Sequence, residues 1–342
     1  MKAVRFHEHG GLDVLKYEDA PEPKIQPNEV LVEIKACALN HLDLWLRAGV
    51  ASWKLSMPHI LGADISGEVA EVGPLVTRVK PGDRVLLCPG ISCGQCEACI
   101  KGLDSACRSY TLFGAMVDGG YAEYVKSPEV NAIPIPGDLS FDEAAAVPLV
   151  FITAWHMLMT RAALKPGEDV LVIGAGSGVG SAAIQVAKLV QARVIAVAGT
   201  DAKLEKARAL GADAGINYRR QSIAEEVRRL TGKRGVDVIV EHVGAAVWEA
   251  CFESLATYGR LVTCGVTSGE EAKLNLRLLY GRQRTLLGSF MGSKGELMEV
   301  LKFIAQRKLK AVIDSVFPLK DAAAAQKKME GRDFFGKILL RP

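Results

Sequence analysis

The sequence predicts an α/β protein of two domains, a small antiparallel β-barrel and a doubly wound parallel sheet. The chain has 342 residues, of which 49% are hydrophobic and 24% charged, so it is long and apolar enough for two compact cores. The first third holds short runs with strand-like alternation, whereas from residue 169 onward apolar runs alternate with segments of helical periodicity. This second pattern is typical of parallel strands joined by helical crossovers.

Short alternating runs and turn signals define the predicted barrel. A proline-rich loop, 21–27, separates the first two runs, and the Lys-Pro-Gly-Asp turn 80–83 joins two later ones. The predicted strands are 1–6, 30–34, 65–72, 84–88 and 119–125. We therefore expect the barrel domain to cover residues 1–129.

The second domain is predicted over residues 130–289. After a linker at 133–137, Ser140 and Glu143 have the spacing of a capping box before one long apolar helix that continues through Met159. The predicted parallel strands are 170–173, 193–198, 214–217, 236–240, 260–264 and 285–288. The predicted helices between them are 181–190, 202–210, 223–230 and 247–256. Since this Rossmann sheet is then complete, we assign residues 290–342 back to the barrel.

A glycine cluster lies between the first parallel strand and its helix. Glycines at a strand-to-helix turn let backbone N–H groups approach a diphosphate at the helix N-terminus, although such a cluster can also be only a tight turn. Gly244 and Gly265 follow the fourth and fifth strands, whose ends would line a nicotinamide crevice. The predicted cofactor-binding residues here are Gly174, Gly176, Ser177, Gly178, Val179, Gly180, Gly244 and Gly265.

Four of the eight cysteines fall in one window with the spacing C-x2-C-x2-C-x7-C, namely Cys93, Cys96, Cys99 and Cys107. Four thiolates in a loop suit a closed tetrahedral zinc site, which is structural and not catalytic. An iron cluster would use similar ligands, and four unrelated thiols are the other alternative. The remaining cysteines lie in apolar runs and are expected to be buried.

Charge and hydropathy exclude several classes of partner. The net charge of +3 has no basic block, and the pairs Arg219-Arg220 and Lys327-Lys328 are interpreted as solvated surface charge. No apolar run has the length of a membrane span, and the N-terminus does not have the pattern of a signal peptide. We expect a cytoplasmic protein that binds neither nucleic acid nor membrane.

These parts, in this order, resemble the medium-chain dehydrogenase/reductase superfamily, the zinc-type alcohol dehydrogenase-like proteins with a GroES-like barrel, a cysteine lobe and a Rossmann domain. The resemblance implies a nicotinamide-dependent oxidoreductase with one structural zinc per chain. It also implies where a second, catalytic zinc would be held. The stretches that match the family's ligand motifs are Asn40-His41-Leu42-Asp43, Gly62-Ala63-Asp64 and Val150-Phe151.

None of these three stretches carries the family's zinc ligand. The cysteine of C-H-x-D is replaced by Asn40, the histidine of G-H-E by Ala63, and the third ligand by Val150-Phe151. The loss resembles the quinone oxidoreductase and enoyl reductase branch, which reduces quinones or activated double bonds with NADPH. The retained cysteine lobe is a departure from that branch. A metal site rebuilt from His41, Asp43, His59 and Asp64, giving a zinc-dependent alcohol or polyol dehydrogenase, remains an alternative.

The predicted catalytic residues are Asn40, His41 and Asp43. In a reduction, Asn40 would donate to a developing enolate oxygen, His41 would act as an acid or contact the cofactor phosphates, and Asp43 would orient either. A protein that binds NADPH without catalysis is a further alternative, because this fold does not guarantee chemistry.

The second parallel strand ends at Ala198 without the acidic residue that NAD-specific sites place on the ribose. Thr200 offers a hydroxyl and Lys203 a cation, and Tyr218 matches a phosphate-contacting tyrosine of the quinone oxidoreductase branch. Asp201 is expected to cap the next helix. NADPH is thus expected in preference to NADH. The strand 285–288 would form an exposed edge, so we also expect a homodimer or homotetramer.

Overall fold

The computed structural model describes residues 1–50 and 53–342. Its strands are β1 Lys2–Phe6, β2 Lys16–Asp19, β3 Glu29–Ala38, β4 His59–Ile60, β5 Asp64–Val72, β6 Arg84–Leu87, β7 Gly90–Ile91, β8 Thr111–Leu112, β9 Tyr124–Pro128, β10 Ala132–Pro134, β11 Asp169–Val172, β12 Arg193–Ala198, β13 Ala214–Asn217, β14 Val236–Glu241, β15 Leu255–Thr263, β16 Thr285–Gly288, β17 Ile313–Pro318 and β18 Lys337–Arg341. Its helices are α1 His41–Ala48, α2 Glu97–Ile100, α3 Phe141–Ala145, α4 Pro148–Trp155, α5 Gly178–Leu189, α6 Asp201–Ala209, α7 Ile223–Leu230, α8 Ala245–Ser254, α9 Leu276–Gly281, α10 Lys294–Ala305 and α11 Ala322–Glu330.

The first compact unit comprises Met1–Leu149 and Gly292–Pro342. Its main sheet has the order β10-β6-β5-β3-β18-β17, with β9 paired to β3, and a smaller sheet has the order β2-β1-β4. All of these pairs are antiparallel except β17 with β18. The last strand therefore lies inside the main sheet, where Leu339 and Leu340 are fully buried.

This division falls between Leu149 and Val150, whereas the sequence placed the domain boundary after residue 129. The segment between the two positions is bound to the first unit. Strand β10 pairs with β6, the Ser66 hydroxyl donates to the carbonyl of Phe141, and the amide of Leu149 donates to Asp64.

Two predicted elements of this region differ in the structure. The predicted strand 119–125 becomes a strand only from Tyr124, because the backbone of Gly119 and Gly120 turns to bond Ile60 and Gly62. The single long helix after Ser140 is divided into α3 and α4, followed by a π-helical turn at His156–Arg161. The break precedes Pro148, which has no N–H to continue the helical bonding. The predicted capping box of Ser140 and Glu143 is present.

The second compact unit, Val150–Met291, is a parallel sheet in the order β13-β12-β11-β14-β15-β16. The strands that follow β11 in sequence lie first on one side of it, as β12 and β13, and then on the other side, as β14 to β16. This reversal is typical of the doubly wound dinucleotide-binding fold. Its core contains the buried aliphatic faces of Leu171, Ile195, Ile239 and Leu261. The predicted α/β class and the doubly wound sheet are thus confirmed, although β15 begins at Leu255, earlier than predicted.

No helix in residues 1–50 or 53–342 combines the length and apolar character that crossing a membrane requires.

Candidate functional site

The predicted cysteines form one cluster on the loop between β7 and β8. The Sγ atoms of Cys93, Cys96, Cys99 and Cys107 all lie within 4.8 Å of one another. Cys93 and Cys96 lie 3.9 and 3.5 Å from the sulfur of Cys99. A zinc ion with Zn–S bonds of about 2.3 Å holds its sulfurs about 3.8 Å apart, so the four thiols fit a tetrahedral zinc site.

Backbone groups favour the ligand form of one of these thiols. Hydrogen bonds from the backbone of Gln95 and Cys96 lower the pKa of Cys93 to about 6. A thiolate is the species that binds zinc, and the amide of Cys93 in turn donates to the sulfur of Cys107 over 3.4 Å. The cluster therefore suits one structural zinc, and it offers no open position for a substrate.

In the second unit, the glycine cluster forms the turn between β11 and α5. Gly174 has a φ of 62°, and a Cβ atom at Gly180 would lie 2.3 Å from the carbonyl oxygen of Gly174, so both positions require glycine. Ser177 caps α5 by accepting a hydrogen bond from the amide of Gly180 over 2.9 Å. The first amides of α5, at Gly178 and Val179, lie at the positive end of the helix, where an anion is stabilised.

The ends of β14 and β15 are held together by Glu241, which is completely buried. Its carboxylate accepts hydrogen bonds from the amide of Gly244 over 2.6 Å and from the hydroxyl of Thr263 over 2.8 Å. Gly244 has a φ of 92°, and a Cβ atom at Gly265 would lie 2.8 Å from the carbonyl oxygen of His242. The two predicted crevice glycines thus occur where neighbouring backbone leaves no room for a side chain.

The end of β12 differs from the sequence prediction in one detail. Thr200, and not Asp201, is the N-cap of α6, because its hydroxyl accepts from the amide of Lys203 over 3.3 Å. Asp201 is the first helical residue, and its carboxylate accepts from the Asn217 amide over 2.8 Å and from Arg220. These hydrogen bonds lower the pKa of Asp201, so this carboxylate is engaged by donors of its own unit.

Two side chains lie over the backbone of Gly199, directly after β12. A Cβ atom at Gly199 would come within 2.8 Å of the Tyr218 hydroxyl and 3.3 Å of Nε of Arg219. Arg219 is exposed, as the sequence predicts for this arginine pair, although nothing in the pair indicates its neighbours. The structure places its guanidinium at the end of the strand that receives the adenosine ribose in this fold.

In the first unit, the predicted catalytic residues begin α1. Asn40 is the N-cap, and its amide nitrogen in the backbone donates to Asp43 over 2.8 Å, which completes a capping box. His41 is half-buried and contacts the Trp45 ring edge-on at 5.0 Å. Asn40 and Asp43 are buried. The structure therefore brings the three residues together, with two of them fixing the start of the helix.

A buried lysine that the sequence did not single out completes this cluster. The Lys337 ammonium on β18 donates to Oδ1 of Asn40 over 2.6 Å, to Oδ2 of Asp64 over 2.9 Å and to the carbonyl of Leu39 over 2.7 Å. Asn40 in turn donates to Asp64 over 3.0 Å. Both polar ends of the Asn40 side chain are thus committed to this network.

Asp43 lies beside the network and is completely enclosed. Burial raises its pKa from 3.8 to about 6, against hydrogen bonds that favour the carboxylate. The Tyr121 hydroxyl donates to Asp43 over 3.1 Å, and the amide of Gly62 donates to it over 3.2 Å. Two carboxylates therefore hold the segment 62–64 to the start of α1. Asp43 accepts from the amide of Gly62, and Asp64 accepts from the side chain of Asn40.

The residues at the family's catalytic zinc positions do not fit that ion. Neither Asn40 nor Ala63 offers a thiolate or an imidazole, and the Lys337 cation occupies the acceptor oxygens of Asn40 and Asp64. The alternative set of His41, Asp43, His59 and Asp64 does not bring three ligand atoms together in the part of the chain that the structure describes. Within residues 1–50 and 53–342, the cysteine tetrad is the one group of three or more potential ligands that comes together.

Comparison with known proteins gives matches to two family models. Residues 26–137 match the alcohol dehydrogenase GroES-like domain, and residues 178–306 match the zinc-binding dehydrogenase domain. The first match lies within the first unit, and the second begins in the second unit and extends 15 residues, 292–306, into the returning segment of the first.

Three similar proteins span nearly the whole chain. An alcohol dehydrogenase of Geobacillus stearothermophilus is 35% identical, over 96% of each chain. A quinone oxidoreductase-like protein 2 of Bos taurus is 33% identical, over 94% of this chain and 87% of its own. A crystal structure of an NAD-dependent alcohol dehydrogenase is 49% identical and superposes with a TM-score of 0.97, covering 100% of both chains.

Proposed function

Since this chain belongs to the medium-chain dehydrogenase/reductase superfamily of zinc-type alcohol dehydrogenase-like oxidoreductases, we propose that it reduces an activated double bond or a quinone with NADPH and without a catalytic zinc. The observation that carries the proposal is the Lys337–Asp64–Asn40 network. In this network a buried ammonium binds Asn40, which replaces the family's zinc-ligating cysteine, and Asp64, the residue after the replaced histidine. An ammonium with committed hydrogen bonds cannot polarise an alcohol as zinc does.

The choice of NADPH rests on the end of β12. The Asp201 carboxylate is neutralised by Arg220, while Arg219 and the Tyr218 hydroxyl lie over Gly199 and Lys203 lies on the first turn of α6. A phosphate on the ribose would find a guanidinium and a hydroxyl there, and guanidinium–phosphate pairs are strong, charge-assisted contacts. The same positions offer no carboxylate to a ribose that carries a free hydroxyl in place of the phosphate.

The residues of the first unit would place and protonate the substrate. The bound cofactor supplies a hydride, which would add to the electron-poor β-carbon of an enone, an acrylyl-type substrate or a quinone. The product then needs a proton, which His41, half-buried at the first position of α1, would donate. Asn40 and Asp43 would act as positioning residues, because their hydrogen bonds fix the start of the helix that carries His41.

A zinc-dependent alcohol dehydrogenase is the second candidate function. It is favoured by the alcohol dehydrogenases among the similar proteins, including the structure at 49% identity. The residues at the ligand positions argue against it, as described above. We further propose a homodimer, since β16 lies at one end of the parallel sheet and is partly exposed.

One experiment separates these functions. Oxidation of NADPH is followed with a panel of quinones, enones, acrylates and ketones, and zinc is counted on the same sample. One zinc per chain with turnover of a quinone, enone or acrylate supports the proposal. Two zinc ions per chain, alcohol oxidation and loss of activity to a chelator would overturn it. Tight binding of NADPH without turnover of any compound would instead indicate a non-catalytic binding protein.

A further inference from the structure

The imidazole of His242 lies among the predicted cofactor-binding residues of the second unit. It directly follows β14, and its Nε2 is 3.2 Å from the hydroxyl of Ser177. A Cβ atom at Gly174 would lie 2.7 Å from Cε1 of the same ring. A Cβ atom at Gly265 would lie 3.4 Å from Cβ of His242. The ring is therefore packed onto the turn that receives the diphosphate.

The surroundings of the ring indicate how it is protonated without cofactor. The Ser177 hydroxyl oxygen accepts from the amide of Gly180 over 2.9 Å and lies 3.2 Å from Nε2 of His242, where either group can be the donor. Burial lowers the pKa of His242, which favours the neutral imidazole.

The one carboxylate that acts on the ring is Glu241, whose charge favours the imidazolium but is outweighed by burial. On β14, the Glu241 carboxylate is occupied by the amide of Gly244 and the hydroxyl of Thr263. Beyond β15, burial raises the pKa of Cys264 to about 12, so its thiol is neutral. The turn 173–177 consists of uncharged residues, and the positive end of α5 points toward it. A bound diphosphate would be the largest negative charge near the ring.

We propose that His242 takes up a proton when the cofactor binds, and that its imidazolium then donates a hydrogen bond to the diphosphate. The inference rests on the proposed function, because it needs a dinucleotide at this turn. An anion within a few ångströms stabilises the protonated ring, and the Ser177 hydroxyl, 3.2 Å from Nε2, can serve as a second donor to the ligand. Cofactor binding thus becomes linked to pH, and affinity rises as the pH falls.

Isothermal titration of the full chain with NADPH tests the proposal. Measured at pH 6 to 8 in buffers of different ionisation enthalpy, it gives the number of protons taken up. We expect uptake of up to about one proton per chain, and an affinity that rises by up to about tenfold per pH unit within the window of uptake. NADH has the same diphosphate and lacks the 2′-phosphate, which itself titrates at about pH 6, so its uptake reports His242 alone.

The variant His242→Asn keeps a polar side chain that cannot be protonated, and His242→Gln serves if the first does not fold. Both should bind NADH with pH-independent affinity and without proton uptake. The control His7→Asn changes an exposed histidine of the first unit and should behave as the unaltered chain. Equal uptake with and without His242, or binding to the unaltered chain without uptake, would overturn the inference. Failure of both cofactors to bind would overturn the proposed function as well.

Discussion

Replacing Lys337 by methionine should destabilise the first unit strongly. The ammonium is 3% exposed and has three acceptors at 2.6 to 2.9 Å, while its partner Asp64 is completely buried. Methionine fills a similar volume but leaves the Asp64 carboxylate enclosed without a cation. Removal of one partner of a buried ion pair costs about 3 to 5 kcal/mol. We expect a decrease of that size in the free energy of unfolding.

The assay is urea denaturation followed by circular dichroism at neutral pH. The variants are Lys337→Met, Asp64→Asn and the two combined. In Asp64→Asn, the side-chain carbonyl oxygen would still accept from the amide of Leu149, which donates to Asp64 over 2.7 Å, and the side chain carries no charge to be compensated. The combined variant should therefore be more stable than the sum of the single changes predicts, by about 0.5 to 3 kcal/mol.

Lys126→Met is the matched control, because Lys126 is an exposed lysine of the same unit, paired with Glu29 at 3.6 Å. It should change the free energy of unfolding little. If Lys337→Met were as stable as this control, or if the two changes in the cycle were simply additive, the network would not depend on the lysine charge. The reasoning about the family's zinc position would then be refuted.

Three further predictions concern the zinc, the cofactor and pH. Cys107→Ser should lower the zinc content, measured by elemental analysis, from one to zero per chain, and should also lower the thermal midpoint of unfolding. The control Cys264→Ala, outside the cysteine lobe, should retain its zinc. An unchanged zinc content in Cys107→Ser would contradict the site. Arg219→Gln should raise the Kd for NADPH about tenfold and change the Kd for NADH by no more than about twofold. Arg228→Gln is the surface control. Equal weakening of the binding of both cofactors would argue against a phosphate contact. Folding raises the pKa of Asp43 from 3.8 to about 6, so the protonated carboxyl contributes stability that is complete below pH 3.8 and is lost as the pH rises through about 6, by up to about 3 kcal/mol. Denaturation of the unaltered chain and of Asp43→Ala at pH 4 and 7 should show that the variant lacks this part of the loss. An identical pH dependence in the two proteins would disprove the assignment.

Local patterns made the parallel sheet and the zinc lobe predictable. Each strand of the sheet is a buried apolar run, and the four cysteines are separated by few residues, so spacing alone indicates convergence. The glycine turn was predictable for the same reason, because its residues are consecutive. The prediction of a single helix after Ser140 differed from the structure at Pro148, where the missing N–H outweighs the apolar pattern.

The remaining parts of the site depend on contacts between distant positions. Lys337 lies 297 residues from Asn40 and 273 from Asp64 in the sequence. No local pattern therefore marks this lysine of β18 as the buried cation that contacts the start of α1. Arg219 resembles any surface arginine until the end of β12 is placed beside it. His242 follows a strand as many polar residues do, and only the fold brings it to Ser177.

The position of β18 has a consequence for how the protein is made. This strand lies between β3 and β17 in the main sheet, yet it is translated after all the other strands and helices named above. The whole doubly wound sheet, which is continuous in sequence, leaves the ribosome before β18 does. The first unit consequently cannot pair the Cys37–Ala38 end of β3 until β18 has emerged, so this end of the strand is the edge that the nascent chain must shield from aggregation.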